Sequence, residues 1–223
     1  MIEVRGLTKR FGGVTAVGDV EFTVGDGERL ALFGPSGGGK TTVLRLIAGL
    51  ERPDAGEIVV DGVLVSRKGV MVPPHQRRLG FVFQAPTLWP HMTVAQHVMF
   101  GLNGMRKTDA NRRLKALLAR TALTGLEARY PAELSGGQAR LVALARTLAP
   151  SPKHLLLDEP LANLDPELKE RLLDVIDETL EGEGCSLLYV THEAREGARL
   201  AARVLRLENG RLTGDVRPEE ERR

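Results

Sequence analysis

The stretch Gly34-Pro35-Ser36-Gly37-Gly38-Gly39-Lys40-Thr41 decides the fold of this 223-residue chain. It fits the pattern G-x-x-x-x-G-K-[ST], a glycine-rich loop that binds phosphate. An apolar run at residues 30–33 precedes it, and residues 42–50 follow with apolar side chains at helical spacing. We therefore expect a buried strand, the loop and a helix in that order. This context makes a simple glycine turn before a helix the poorer explanation.

The residue types in the loop explain how it would hold a phosphate chain. Its glycines let the backbone curl with N–H groups pointing inward. The helix that follows adds unpaired N–H groups and the positive end of its dipole. Lys40 can reach the β- and γ-phosphates, and the Thr41 hydroxyl can bind Mg²⁺. The loop therefore predicts binding of a nucleoside triphosphate with magnesium.

Length and composition narrow the class of protein. The chain is long enough for one large domain, or for one domain carrying a subdomain. Its 31 basic and 29 acidic residues give a net charge of +2. This excess of positive charge is too small to indicate a nucleic-acid-binding protein. Cys185 is the only cysteine, so no internal disulfide forms, and we expect it to be a small buried side chain. With no signal peptide and no apolar run long enough to span a membrane, we expect a cytosolic protein.

Alternating and helical patterns outline the rest of an α/β chain. We predict strands or hairpins at residues 2–7, 14–24, 57–65, 79–83, 154–157, 186–190 and 203–212, and helices at residues 135–148 and 166–180. Residues 66–74 read as a loop, and the charged tail at residues 217–223 as a frayed end. The strand at residues 79–83 delivers Gln84 at its carboxyl end, the edge where open α/β sheets bind ligands.

Residues 85–133 have a different character and predict a mostly helical insertion. A charged helix is expected at residues 109–123, with a solvent face marked by Arg112, Arg113, Lys115 and Arg120. We expect Trp89, Met92 and Phe100 to pack the core of this insertion. The competing interpretation is an exposed apolar surface for a partner protein, since methionine and aromatic side chains suit such surfaces.

Two adjacent carboxylates end the apolar run Leu155-Leu156-Leu157-Asp158-Glu159. Side chains alternate across a strand, so the two acids should face different ways. Asp158 can then hold Mg²⁺, directly or through water, while Glu159 acts as general base toward an attacking water. A pair of acids at an exposed turn is the plain alternative, and it is disfavoured by the preceding apolar strand.

The string Leu134-Ser135-Gly136-Gly137-Gln138 is the most specific in the chain. It places a serine N-cap and two glycines at the start of a helix, which makes a second anion site. One chain then carries two phosphate-binding helix N-termini, one more than a single nucleotide needs. The second would serve a nucleotide held by another subunit, so the sequence predicts a dimer.

These strings, in this order, resemble the nucleotide-binding subunit of ABC transporters over essentially the whole chain. Residues 34–41 match the Walker A motif, Gln84 the Q-loop, residues 134–138 the signature, residues 155–158 the Walker B strand with Glu159 as catalytic glutamate, residues 162–165 the D-loop, and His192 the switch histidine. The resemblance implies an α/β P-loop NTPase core with a mostly parallel sheet, an N-terminal antiparallel β subdomain and a helical subdomain. The core would comprise residues 1–84 and 134–223, and the helical subdomain residues 85–133.

The resemblance also implies a set of site residues. The catalytic residues would be Glu159, His192 and Gln84, and the magnesium ligands Thr41, Gln84 and Asp158. The ATP contacts would be Phe11, Gly34, Pro35, Ser36, Gly37, Gly38, Gly39, Lys40, Thr41, Thr42 and Asp165, together with Ser135, Gly136, Gly137 and Gln138 acting on the partner subunit's ATP. Phe11 in itself reads as a loop residue that packs in the core, but it falls where the family places an aromatic against adenine.

One stretch departs from the family pattern. After the signature, relatives usually continue with polar residues and an arginine before Val-Ala-Leu-Ala-Arg, whereas this chain has Ala139-Arg140-Leu141. We expect the signature helix to contact its neighbours differently. All the catalytic positions are intact, so the departure is not evidence of inactivity.

Residues 73–84 and 90–94 look like those of bacterial importers for polyamines, sulfate, molybdate, ferric iron or sugars. A homodimer, or a pair with a paralogous ATPase subunit, would clamp two MgATP at the cytoplasmic face of the inner membrane. Its partners would be permease subunits docked on residues 85–133 and a solute-binding protein, with no nucleic acid. We expect no C-terminal regulatory domain. The alternatives are the motor of an exporter, a soluble ABC ATPase of DNA repair or translation, and a regulatory binding module.

Overall fold

The structure is a computed structural model that describes residues 1–216. The predicted frayed tail at residues 217–223 lies outside the described residues. The chain forms two compact units, the first containing Met1–Phe81, Lys153–Glu159 and the residues from Cys185 onward, and the second containing Val82–Pro152 and Pro160–Gly184. Over residues 1–216, no helix is both long and apolar enough to cross a membrane.

The first unit holds nearly all of the strands. They are β1 (Ile2–Phe11), β2 (Val14–Val24), β3 (Arg29–Phe33), β4 (Ala55–Val60), β5 (Val63–Arg67), β6 (Val70–Met71), β7 (Leu79–Val82), β8 (His154–Asp158), β9 (Ser186–Thr191), β10 (Arg203–Glu208) and β11 (Arg211–Val216). Its helices are α1 (Lys40–Ala48) and α6 (Ala194–Leu200). Strand β7 ends at Val82, where the second unit begins.

The amino-terminal strands form an antiparallel sheet in the order β2-β1-β4-β5-β6. Ile2 and Val4 of β1 are buried, as is Leu7 after a register shift, as expected for a sheet with one face on the core. The predicted hairpin around Asp61-Gly62 is confirmed. Both turn residues have positive φ, 50° and 78°, as a two-residue type I′ turn requires.

The second sheet has the order β11-β10-β3-β9-β8-β7. Strands β10, β3, β9 and β8 run parallel, with Phe33 paired to Thr191 and Asp158 paired to Val190. In a parallel sheet the carboxyl ends of the strands share one edge, and ligands bind there. The chain therefore leaves β3, β8 and β9 at the same edge, and the predicted α/β core is confirmed.

Three local predictions for this unit are wrong. Strand β1 runs to Phe11, because its pairing with β2 continues through β-bulges to the turn at Gly12-Gly13. Phe11 is 48% exposed, so it does not pack in the core. The predicted loop at residues 66–74 contains the short strand β6, and α6 was not predicted. Two- and seven-residue elements are too short to show a clear periodicity.

Arg77 is a buried cation that no sequence pattern indicated. Its side chain is inside the first unit, where Nε and the two Nη atoms donate to the carbonyl oxygens of Leu46, Ile47, Val65 and Val72 and to Ser66 Oγ at 2.7–3.1 Å. Burial lowers the pKa of Arg77 to about 10, so the guanidinium stays charged at neutral pH. It stabilises the carboxyl end of α1, where unpaired carbonyls and the helix dipole favour a cation.

We expect Arg77→Met to reduce the free energy of unfolding by about 3 kcal/mol, because several buried acceptors lose their donor. Urea unfolding followed by circular dichroism measures this change. The control is Arg67→Met, at an exposed position on β5 of the same unit. Equal stability of the two variants would contradict the role assigned to Arg77.

The second unit is largely helical, with α2 (Val94–Gly101), α3 (Lys107–Arg120), α4 (Gly136–Leu148) and α5 (Pro166–Glu181). Helices α2, α3 and α5 all pack against α4. The predicted solvent face of α3 is partly wrong. Arg112 and Lys115 are exposed, but Arg113 and Arg120 are half-buried and pair with Glu183 at 2.6 and 2.5 Å. Long arginine stems can cover apolar surface while their charged ends reach a partner.

A further prediction is wrong for two of its three residues. Trp89 and Phe100 were expected to pack the core of the insertion together with Met92, but both are exposed. Trp89 is 37% and Phe100 56% exposed, and Met92 is half-buried. The two aromatic rings contact each other at a centroid distance of 4.9 Å. Aliphatic side chains pack the interior instead, including Val94, Val98, Leu102, Leu117, Leu118 and Leu123.

Candidate functional site

The glycine-rich loop lies between β3 and α1, and neighbouring backbone leaves no room for side chains there. A Cβ on Gly34 would lie 2.0 Å from the carbonyl oxygen of Leu207. A Cβ on Gly39, whose φ is 99°, would lie 2.3 Å from the carbonyl oxygen of Ala16. These glycines are therefore required by close approach, and Gly39 also by its left-handed backbone. Ser36 and Gly37 are exposed at the tip.

Lys40 lies under this loop and is only 3% exposed. Its Nζ donates to the carbonyl oxygens of Gly34 and Pro35 at 2.8 and 2.9 Å. It also lies 3.4 Å from Glu159 Oε1. The ammonium group is therefore fixed between the loop and the strand edge, in the position from which a lysine can reach bound phosphates.

Thr41 and Asp158 form the oxygen pair expected of a magnesium site. Thr41 Oγ1 donates to Asp158 Oδ1 at 2.7 Å, and Asp158 is 4% exposed. Burial raises the pKa of Asp158, as does the nearby charge of Glu159, while the hydrogen bond from Thr41 acts against them. A hydroxyl and a carboxylate are ligands that Mg²⁺ prefers, so these two residues fit the predicted ion.

Glu159 turns sharply away from the line of β8. Its φ is 42°, and its N–H donates to the carbonyl oxygen of Val190 at 3.0 Å. Oε2 then lies 3.2 Å from His192 Nδ1. Asp158 and Glu159 do have different partners, as predicted, but the left-handed turn contributes to this as well as the strand pleat. Such backbone outliers in non-glycine residues cluster at functional sites.

A buried network holds the loop that carries His192. Tyr189 Oη and Thr191 Oγ1 both donate to Glu196 Oε2, at 2.8 and 2.6 Å. Thr191 Oγ1 in turn accepts from the N–H of Glu193 at 3.0 Å. Glu196 belongs to α6, so the helix that the sequence did not reveal anchors the predicted switch histidine.

Phe11 lies at the exposed end of β1. Lys9 Nζ is 5.0 Å from the centre of its ring, within the range of a cation–π contact. The exposed ring is compatible with stacking on a base, and the assignment of Phe11 to adenine stays a prediction.

The remaining predicted site residues belong to the second unit. Ser135 caps α4 in a capping box, with Oγ accepting from the N–H of Gln138 at 3.2 Å and the Ser135 N–H donating to Gln138 Oε1 at 2.9 Å. Asp165 caps α5 by accepting from the N–H of Leu168 at 2.9 Å. Gln84 is exposed just after β7. Their roles toward nucleotide stay predictions.

The segment after Gln84 is held by residues that the sequence did not single out for this role. Arg146 of α4 donates to the carbonyl oxygen of Thr87 at 3.0 Å and lies 5.0 Å from the centre of the Trp89 ring. The Trp89 N–H lies 2.9 Å from His97 Nε2, whose other ring nitrogen lies 2.9 Å from the carbonyl oxygen of Thr93. These contacts fit a neutral His97 with its proton on Nδ1.

Burial lowers the pKa of His97 from 6.5, and the charges of Arg146 and His91 add to this, while the Thr93 carbonyl opposes it. The contribution of neutral His97 to stability is therefore fully present above pH 6.5 and is lost as pH falls from 6.5 to the lowered pKa of the folded state. We expect the wild type to lose up to about 1.4 kcal/mol of stability per pH unit from this group.

The variant His97→Gln should be less stable at neutral pH and show a smaller loss on acidification. Urea unfolding at a series of pH values measures both. His154 is a second buried histidine whose pKa is lowered by burial, so part of the acid sensitivity should remain. An unchanged pH slope in His97→Gln would contradict this assignment.

The glycine-rich loop lies between a parallel strand and a helix, and its threonine is hydrogen-bonded to an aspartate at the end of another strand. This arrangement defines a P-loop nucleotide-binding fold. The sequence profile of the ABC transporter family matches residues 17–162. The chain belongs to this family, as the resemblance of its motifs implied.

The chain is similar to curated importer subunits. It is 44% identical over 217 residues to the sulfate/thiosulfate import ATP-binding protein CysA of Caulobacter vibrioides, covering 95% of this chain and 63% of that protein. It is 43% identical over 223 residues to the putrescine transport ATP-binding protein PotG of Escherichia coli K12, covering 99% and 58%. The chain therefore spans about three fifths of the length of these relatives.

Solved structures share the fold. The dimeric ATP-binding cassette MJ0796, bound to ADP and phosphate in a post-hydrolysis state, matches with a TM-score of 0.83 at 27% identity, covering 98% of this chain and 99% of that chain. The protein cbiO1 of Clostridium perfringens, part of the ABC transporter complex cbiONQ, matches with a TM-score of 0.87 at 30% identity, covering 99% and 89%.

Proposed function

We propose that this chain is the ATP-hydrolysing motor subunit of an ABC importer. Two copies, or one copy and a paralogous ATPase subunit, close on two MgATP and thereby drive permease subunits docked on the helical segment at residues 85–133. The assembly works peripherally at the cytoplasmic face of the membrane, with a solute-binding protein and without nucleic acid. The importer names of the relatives support this direction of transport.

The observation that carries the proposal is the convergence of five side chains at one sheet edge. The cation Lys40, the oxygen pair of Thr41 and Asp158, and the pair of Glu159 and His192 all lie there, linked at 2.7–3.4 Å. Phosphoryl transfer needs little covalent chemistry from the protein. It needs positioned positive charge, a metal site and a base that orients water.

Each group has a part in hydrolysis. The backbone N–H groups of the loop and Lys40 Nζ bind the phosphates and draw charge toward the leaving oxygen. Thr41 and Asp158 would hold magnesium, which would supply positive charge against the phosphates, and Gln84 stays a predicted ligand of the ion. A carboxylate oxygen of Glu159 accepts the proton of the attacking water, while His192 holds that carboxylate and senses the γ-phosphate. The products are ADP and phosphate.

The signature segment completes the partner's site rather than its own. Ser135 and the start of α4 form a second helix N-terminus suited to an anion, and the exposed Ser135 and Gly136 leave it accessible. Division of each site between two subunits makes ATP binding a closing motion. The similarity to a cassette solved as a dimer supports this arrangement.

We expect Glu159→Gln to lower kcat by a factor of about 10² or more, because the amide cannot accept the proton of water. ATP should still bind, and an ATP-bound dimer should accumulate on size-exclusion chromatography. The control Glu181→Gln changes an exposed residue at the end of α5. A hydrolysis rate equal to that of the wild type would contradict the assignment of Glu159 as general base.

Ser135→Ala should abolish turnover while leaving ATP binding intact, because only the partner's site loses a contact. The matched control is Thr93→Ala, which removes the same kind of capping box from α2 in the same unit, at a similar cost of about 1 kcal/mol. Phosphate release and binding of a fluorescent ATP analogue measure the two effects. Normal turnover in Ser135→Ala would contradict the shared site.

Copurification of the native complex tests the importer assignment. We expect a membrane permease together with a solute-binding protein. A permease without a solute-binding protein would indicate an exporter, and a ribosome or DNA would contradict a role in transport.

A further inference from the structure

Arg140 makes a contact that the family motifs do not explain. It lies near the start of α4, two residues after the signature segment at residues 134–138. Its Nη2 donates to the carbonyl oxygen of Ala162 at 2.7 Å, and its Nη1 to the carbonyl oxygen of Gly136 at 3.4 Å. Its Nε is buried without a hydrogen-bond partner. The guanidinium thus joins two backbone segments.

The second of these segments leads into α5. Ala162 is 6% exposed, and Asn163 next to it has a left-handed backbone with φ of 60°. Asp165 then caps α5. A residue that fixes the carbonyl of Ala162 therefore fixes the start of this turn and the place from which Asp165 projects.

A second contact brings the same two segments together. A Cβ on Gly137 would lie 3.1 Å from Leu168 Cδ1, so the first turns of α4 and α5 pack closely within the second unit. An added Cβ at Gly137 would require the Leu168 side chain to shift. The contact of Arg140 therefore lies beside an interface that is already tight.

Arg140 is half-buried, so part of its guanidinium has lost contact with water. Burial lowers the pKa of Arg140. Its hydrogen bonds within residues 1–216 go to carbonyl oxygens and not to a carboxylate. A guanidinium taken out of water is stabilised only where its donors find well-placed acceptors. Here the acceptors are two carbonyl oxygens, one on each segment.

The departure from the family pattern explains how an arginine comes to lie there. Leu141 occupies the place directly before Val142 and is buried at 7% exposure. Arg140 is one residue earlier, about 100° around the helix. The arginine is therefore present but faces the turn at Ala162, while the leucine joins the interior.

We propose that Arg140 is a positioning residue that makes residues 134–138 and residues 162–165 move as one body. The inference rests on the proposed function, in which both segments act across the dimer. When two subunits close, Ser135 and Asp165 would reach the partner together. Loss of the link would leave ATP binding intact and weaken closure and hydrolysis.

The experiment compares Arg140→Met, Arg140→Lys and the control Arg112→Met, whose exposed arginine lies on α3 of the same unit. We expect Arg140→Met to lower kcat about tenfold, a factor equal to one weak transition-state contact. KM and the affinity for a fluorescent ATP analogue should stay unchanged. Arg140→Lys should recover part of the rate, since it keeps a donor without the planar fork.

Two further measurements separate positioning from stability. In the Glu159→Gln background, Arg140→Met should raise the protein concentration needed for the ATP-bound dimer. Hydrogen exchange should quicken at the amides of residues 163–168 and stay unchanged at residues 40–48. A kcat equal to that of Arg112→Met, or a loss of ATP binding together with a lower Tm, would overturn the inference.

The same assays tell the two proposals apart. A wild-type protein that neither hydrolyses ATP nor dimerises with it contradicts the proposed function. A wild type that does both, beside an Arg140→Met variant indistinguishable from it, contradicts only the role of Arg140.

Discussion

The parallel pairing of β3, β9 and β8 is the constraint on which the first unit depends. It brings Phe33, Asp158 and Thr191 to one edge of the sheet. The groups that follow these residues then meet without any of them being neighbours in the chain. Lys40 holds this meeting point together, because its buried ammonium contacts both the loop carbonyls and Glu159. A buried cation needs such partners, so loop and strand ends are mutually dependent.

Helix α4 has a comparable part in the second unit. Near its start, Arg140 ties the helix to the turn that precedes Asp165, and in its last turn Arg146 ties it to the segment that follows Gln84. Both arginines donate to backbone carbonyls rather than to carboxylates. Such bonds fix the course of a loop whatever its side chains are. The helix that begins with the signature thus positions two other loops of the proposed site.

The features that the sequence predicted depend on residues close together in the chain, and those that it missed depend on residues far apart. Motifs whose chemistry is local could be predicted, such as the loop at residues 34–41, the N-cap at Ser135 and the turn at Asp61-Gly62. Residues whose role depends on distant partners could not. No pattern marked Arg77 as buried. Arg113 and Arg120 were predicted to lie on a solvent face, and only their acceptors show otherwise. Periodicity predicts the helix face on which a residue lies, but a long side chain can reach a partner away from that face.

The sequence alone determined the class of the protein and most of its strands and helices, because glycine, lysine and capping residues act on their immediate neighbours. It also named the residues of the candidate site. Only the tertiary structure decided how those residues are held: the left-handed turn at Glu159, the network from Glu196 to the His192 loop, and the link from Arg140 to Ala162. Each of these depends on atoms far apart in the chain, and their approach is set by packing that no local pattern encodes.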